Sequence, residues 1–451
     1  MVQTFNSFFI IKDKNDLGQK LFYTGILFLP SALPIAIICF LGALIISYRF
    51  NKVVLINDNL DILFIFSLFL IIISTIYNSF FNFSEEFFRG DRLDLWIGLF
   101  SWIPLFFIYW GIQNYLNTFQ KRLLSIKFLI GGTIPVLVSC IMQLLGIYGP
   151  FKSFFNLIIW FNKPLNSVGG ISGLFSNPNY TGLFLTLTLP FLYFFIKNKN
   201  YNLTSRLILI MITISTLIFS LGTNSRNAAI GIIISFISII NVRKIIYFIS
   251  FLIGGFYFFV FFLTDLIKNI FNLDFININE ICLNNSKFLL FCKFIQFGDW
   301  TLNDRTRIWI STISFIKERP LLGYGSTTFP NIFEYKNLFL IPYKFTKIYH
   351  SHNLYLELAY NFGIPVALLL IITIISIIII GFKSLEHSDR DNSINLLEKA
   401  WLYSFIIFII SHLFDITFYD GKISFIFIIL LAGVRCSSLE KRYLRYPELK
   451  N

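Results

Sequence analysis

Runs of apolar residues about as long as a bilayer-spanning helix recur along this chain, and roughly twenty such residues are what a helix needs to cross the hydrocarbon. They fall at about 21–47, 62–82, 95–111, 128–147, 180–196, 207–222, 228–241, 245–263, 364–381, 400–415 and 423–435. A water-soluble globule of 451 residues would need a charged surface, but only 14% of this chain is charged while 56% is hydrophobic. Globular chains carry about a quarter charged residues. The fold expected is an all-α polytopic membrane protein.

Topology follows from charge. The first run is broken by Pro30 and Pro34, so it is either one kinked helix or a hairpin of two. Lys and Arg are retained on the cytoplasmic side. With a hairpin and the amino end inside, the cytoplasmic segments hold twenty-one basic residues against six in the short outer connections. A single first helix would reverse that ratio. The reading is therefore about twelve transmembrane helices: a cytoplasmic start at 1–20, nine spans in 21–263, a long extracytoplasmic cap at 264–363, three spans in 364–435 and a cytoplasmic tail at 436–451. The apolar patch Phe8–Ile11 among Lys12, Lys14 and Lys20 is too short for a signal-peptide core.

In a soluble chain a net charge of +13 would bring nucleic acid to mind. Here the basic residues set topology, and membrane lipids rather than nucleic acid are the expected surroundings. Cys39 and Cys140 fall within spans and Cys436 in the tail, while Cys282 and Cys292 lie in the cap, where a disulfide between them is an open alternative.

The cap carries Tyr349-His350-Ser351-His352-Asn353, two of the four histidines in the chain. Imidazole exchanges a proton near neutral pH, so proton transfer is the leading reading. Ordinary surface histidines are the second reading, and metal ligation is the weakest, because a catalytic zinc wants a third protein ligand that the cap does not offer. Upstream, Ile308, Trp309, Thr312, Ile313 and Ile316 recur at helical spacing, which predicts an amphipathic helix over 306–317. Arg305 and Arg307 stand at its expected start, as a phosphate clamp or as lipid-headgroup contacts. Arg226 lies in the tight turn 222–227, on the side poor in positive charge, and is a functional candidate or an anchor. Of Asn177 and Asn179, one is expected to cap the following helix and the other to meet a hydroxylated ligand. His412 and Asp415, three apart, are expected to share a helix face as a buried pair or a site.

All of these groups are expected on one side of the membrane, where they could line a single pocket. Walker, Rossmann and His-Glu-x-x-His patterns are absent, and the cap has no Asp-x-Asp pair to hold a metal on a nucleotide-sugar. A diphosphate leaving group with no metal needs fixed positive charge. Arg226 and Arg305 would supply it while a histidine takes the acceptor's proton, which describes glycosyl transfer from a lipid diphosphate with no metal and no cofactor.

In this order the motifs resemble the O-antigen ligase and polymerase superfamily. They are Gly173-Leu-Phe-Ser-Asn-Pro-Asn179, Asn224-Ser-Arg-Asn227, Arg305-Thr-Arg-Ile-Trp309, Glu318-Arg-Pro-Leu-Leu-Gly-Tyr-Gly325 with Thr327-Thr-Phe329, His350-Ser-His-Asn-Leu-Tyr-Leu356 and Phe362-Gly-Ile-Pro365. The resemblance covers about 170–380. It implies a C-type glycosyltransferase of the bacterial inner membrane, with its site on the periplasmic side and an undecaprenyl-diphosphate-linked glycan as donor. It puts His352 on the family's catalytic histidine, Arg226 and Arg305 on its two essential arginines, and Glu357 on its acid. Arg307, His350, Asn177, Asn179 and Asn353 become candidate substrate contacts. Lipid A core is the acceptor favoured, which makes the chain a ligase. Another glycan repeat unit is the alternative, which makes it a polymerase. A solute or inorganic carbon transporter is the third reading, against which the span interiors look nearly free of coupling charges.

Overall fold

A computed structural model describes residues 13–51, 53–81, 92–153, 158–160, 164, 170–198, 201–239, 300–337, 348–386 and 392–445. Fifteen α-helices dominate the described residues: α1 (Lys14–Phe28), α2 (Leu33–Phe50), α3 (Asn59–Phe80), α4 (Arg92–Leu99), α5 (Ile103–Ile112), α6 (Phe119–Leu144), α7 (Pro178–Lys197), α8 (Leu203–Gly222), α9 (Arg226–Ile239), α10 (Trp300–Glu318), α11 (Phe329–Asn337), α12 (Leu354–Phe362), α13 (Ile364–Glu386), α14 (Asn392–Ser411) and α15 (Gly421–Arg445). One element departs from the expected all-helical fold. After Gly149-Pro150, strands β1 (Phe151–Ser153) and β2 (Ile158–Trp160) pair antiparallel, with Phe151 opposite Trp160. Aromatic and β-branched residues favour such a ribbon.

Polar side chains mark where helices begin. Asp13, Asp58, Thr118, Asn177, Asn202 and Asn353 each accept a backbone N–H from the first turn of the helix that follows. Such caps satisfy donors that the helix itself leaves unpaired.

Nine helical segments among the described residues are long and apolar enough to cross a membrane, with α4 and α5 counted together over Arg92–Tyr115. The proline-broken run at 21–47 is two helices. Adding a Cβ at Gly25 would meet Phe40, at Gly42 would meet Leu21, and at Gly18 would meet Ile46. Residues that rise along α1 therefore meet residues that fall along α2, the register of an antiparallel hairpin. The run expected at 245–263, like Cys282 and Cys292, lies outside the described residues.

Burial sorts the helices. Every residue of α7 from Thr181 through Leu192 is buried, the pattern of a helix apolar all round and enclosed by others. On α2 the exposed residues Pro34, Ile38, Leu41, Ile45 and Tyr48 are spaced three and four apart as one outward stripe, with Arg49 and Phe50 exposed at the helix end. That stripe is what a lipid-facing helix presents, and α7 is the core against which α8, α9 and α14 pack.

The interiors are less free of charge than hydropathy implied. α15 runs on through Arg445, beyond the span boundary expected at 435, and buries Arg435 and Cys436. Arg435 bonds Asp58 at 2.6 Å and lies 3.7 Å from Asp61. Arg122 on α6 is fully buried, 2.6 Å from Glu440 and 3.6 Å from Glu398, and Lys441 pairs with Glu398. Arg122, Arg435 and Lys441 are among the basic residues that the topology reading places in cytoplasmic segments; the burial of Arg122 and Arg435 depends on acidic partners hundreds of residues away, because a paired charge can be buried where an isolated one cannot.

Hydrogen bonds tie the loop after α10 to α3, α12 and α13. In the loop after α10, Tyr324 and Gly325 donate to the carbonyls of Tyr360 and Asn361 at 2.8 and 2.9 Å, and Ile364 donates to Pro320 at 2.7 Å. Ser74 and Asn78 of α3 both donate to the Leu322 carbonyl. Gly323 has φ +62°, and a Cβ there would strike the Tyr360 carbonyl, so this turn needs glycine. The Gly-Tyr-Gly motif thus anchors the end of α12.

Replacing Arg122 by Ala removes the cation from half-buried Glu440 and leaves buried Glu398 with Lys441 alone. The expected loss is about 3–5 kcal/mol of stability, read as a large fall in melting temperature in detergent. A loss near that of an exposed ion pair would contradict the buried-pair account.

Candidate functional site

The short loop between α14 and α15 is the hub of the site. Helix α14 stops at Ser411, so His412 and Asp415 do not share a helix face as the spacing suggested. His412 is buried in a structural role. Its ring stacks on Phe408 at 4.0 Å, Nδ1 meets the Phe408 carbonyl at 2.8 Å and Nε2 meets Thr417 at 3.0 Å. Asp415 turns the other way. One carboxylate oxygen lies 3.2 Å from His352 Nδ1 and also accepts the Ile416 N–H, and the other accepts from Asn179 Nδ2 at 2.6 Å.

Two more candidates end on the same loop. Arg305 donates to the Phe414 carbonyl at 2.6 Å, and Asn353 Nδ2 to the Leu413 carbonyl at 3.0 Å. Arg226 opens α9, close enough for the two guanidiniums to interact. Burial, then the positive field of Arg305, makes its proton easier to lose. Two like charges held near each other raise the potential for an anion.

His352 sits in a strained turn. Its φ is +54°, a left-handed conformation uncommon outside glycine. Five hydrogen bonds hold it there. Ser351 N–H donates to Glu357 Oε2 at 2.9 Å, Ser351 Oγ donates to the Asn353 carbonyl, the Asn353 side chain caps α12, and Leu354 N–H donates to the His412 carbonyl. The His352 side chain stays 31% exposed while Asp415 is 7% exposed. The ring is reachable and its partner is not.

The remaining candidates divide by position. Asn177 caps α7, accepting from Asn179 N–H, so the capping role falls to Asn177 and the reach across the site to Asn179. Glu357 is buried beneath the His352 turn, and burial raises its carboxyl above the usual range against the opposing Ser351 N–H. It faces the loop backbone. His350 packs edge to face against His352, with ring centroids 4.4 Å apart. Helix α10 starts at Trp300 rather than 306, so neither arginine stands at its N-terminus. Residues two apart on a helix do not face each other, and Arg307 is exposed while Arg305 reaches the hub.

Charge states follow from the surroundings. Burial alone would raise Asp415, but the His352 hydrogen bond and the Arg305 charge hold it down at about 2. It is therefore an anion that accepts, so His352 Nδ1 carries the proton and Nε2 is left with its lone pair. Among the described residues no three His, Cys, Asp or Glu side chains converge to hold a metal ion.

Burial keeps both His350 and His412 neutral, each lowered to about 4. An unfolded histidine titrates near 6.5, so between those values the unfolded chain binds protons that the folded chain does not. Stability from this source is full above about 6.5 and is lost as pH falls toward 4. The melting temperature is expected to drop from pH 7.5 to pH 5, and His412→Gln to flatten the slope. A melting temperature that rises on acidification would contradict this assignment.

Residues 208–371 match the model of a family described as O-antigen ligase. The match spans α8 into α13 and includes Arg226, Arg305, His350, His352 and Glu357. The hub loop with Asp415 lies downstream of it, and Asn177 and Asn179 lie upstream. No curated protein matches the chain.

Proposed function

We propose that the chain is a glycosyltransferase of the bacterial inner membrane, a reading supported by the match of residues 208–371 to the O-antigen ligase family. In this reading it moves a glycan from undecaprenyl diphosphate to an acceptor hydroxyl on the periplasmic side. The observation that carries the reading is the His352–Asp415 pair at 3.2 Å, with Arg305 anchored on the adjoining residue and Arg226 within its field.

The chemistry follows from the atoms. Asp415 fixes the proton on Nδ1, and Nε2 takes the proton from the acceptor hydroxyl as its oxygen attacks the anomeric carbon. The bond from that carbon to the diphosphate oxygen breaks, and the leaving diphosphate keeps the electron pair. Arg226 and Arg305 meet the charge that develops there, and fixed donors do so without reorganising. Two guanidiniums make the step independent of a metal ion. Asn179 holds Asp415 and Asn353 holds the turn, while His350 and Arg307 flank the opening as candidate contacts for sugar or phosphate.

Lipid A core is the acceptor we favour, with a second repeat unit as the alternative. The buried charges of α3, α6, α14 and α15 do not favour the transporter reading. They pair with one another and lie about fourteen residues along α15 from the hub, or roughly 20 Å at the helical rise.

Purified protein given a lipid-diphosphate glycan, in chelator, with either acceptor, tests the reading. His352→Ala is expected to lower transfer by about 10²–10⁴-fold, the usual worth of a general base. Arg305→Ala should lower it with normal protein levels. Full activity in His352→Ala would reject the mechanism, and the acceptor that becomes glycosylated names the activity.

A further inference from the structure

Lys422 takes no part in the chemistry above, and its position is a costly one for lysine. It is the second residue of α15, where the helix dipole disfavours a cation. Asp420, the nearest acid in sequence, spends one carboxylate oxygen on the N–H groups of Lys422 and Ile423 to cap α15. The ammonium lies 4.9 Å from the centre of the Phe175 ring, over its face, and donates to the Pro30 carbonyl at 2.9 Å and the Leu174 carbonyl at 2.8 Å.

Those two carbonyls belong to different parts of the chain. Pro30 is in the turn between α1 and α2. Leu174 is in the segment leading into α7, which is gripped from its other side by Gln143 of α6. The Gln143 Oε1 accepts both the Ser172 and the Gly173 N–H at 3.0 Å. The segment ends at Asn177, the cap of α7, and two residues later Asn179 meets Asp415 at 2.6 Å. Asp415 and Lys422 stand seven residues apart across one loop. The lysine therefore ties the loop that carries Asp415 to the segment that carries Asn179.

We propose that Lys422 is a positioning residue for glycosyl transfer, acting through the Leu174 segment and Asn179 to hold Asp415 against His352. The proposal rests on the transferase reading above. Pro30 completes the clamp by fixing the α1–α2 turn to the same ammonium, so one side chain sets the spacing of three loops at the site end of the bundle.

The test uses the full chain in lipid nanodiscs, as wild type, Lys422→Met, Lys422→Arg, Asn179→Ala and the Met/Ala double variant. Hydrogen exchange over 170–182 is expected to rise about tenfold in Lys422→Met, the worth of one or two lost hydrogen bonds, with α10 and α12 unchanged. Turnover should fall about tenfold at an unchanged donor KM, Lys422→Arg should recover most of it, and the double variant should be no worse than the poorer single, because residues acting along one path do not add. Exchange over 170–182 that does not change, or exchange that rises equally throughout the bundle, overturns the proposal. So does a double variant whose losses multiply. If the wild-type chain transfers no glycan, the function reading fails, and the exchange result alone decides whether Lys422 holds the segment.

Discussion

The contact between Asp415 and His352 is the interaction on which the site depends. A carboxylate held at about 2 is an acceptor across the whole physiological range, so the imidazole beside it has one tautomer and one free nitrogen. The hub loop gathers the rest by simple hydrogen bonds. Arg305 reaches the Phe414 carbonyl, Asn353 the Leu413 carbonyl, Leu354 N–H the His412 carbonyl and Asn179 the carboxylate itself. Segments from α7, α10 and α12 thus meet on the four consecutive residues His412 to Asp415.

Such a loop needs rigid supports, and both ends supply them. At the site end His412 is locked between Phe408 and Thr417, and Asp420 caps α15. At the other end of α15, Arg435, Asp58, Asp61, Arg122, Glu398 and Glu440 form buried pairs that set which residues of α3, α6, α14 and α15 lie level. Buried pairs add little net stability compared with apolar packing, but a slipped register would leave charges stranded. The left-handed turn at His352 can be strained because the helices around it are fixed.

Much of this was legible in the sequence. The spans were readable because a bilayer demands long apolar runs, and the hairpin at Pro30 because positive charge is unevenly divided. His352, Arg226 and Arg305 stand out as candidates because imidazole and guanidinium are conspicuous in so apolar a chain. Asp415 was misread for a physical reason. Ser411-His412-Leu413-Phe414 contains no glycine or proline, so nothing local announced that α14 ends there. Helix α10 starts six residues before the expected 306, so Arg305 and Arg307 do not stand at its N-terminus, and Glu357 faces the backbone of its own turn, which spacing cannot reveal. The far-end charges depend on partners such as Arg122 and Glu440, 318 residues apart, a pairing that only the folded bundle makes visible.

The central claim is that Arg226, Arg305 and His352 converge on one anion. It is tested most directly by an experimental structure of the protein in a lipid nanodisc with undecaprenyl diphosphate bound. The account predicts diphosphate oxygens within hydrogen-bond reach of both guanidiniums, with the terminal phosphate beside His352 Nε2. Diphosphate seated elsewhere, or touching neither arginine, would contradict it.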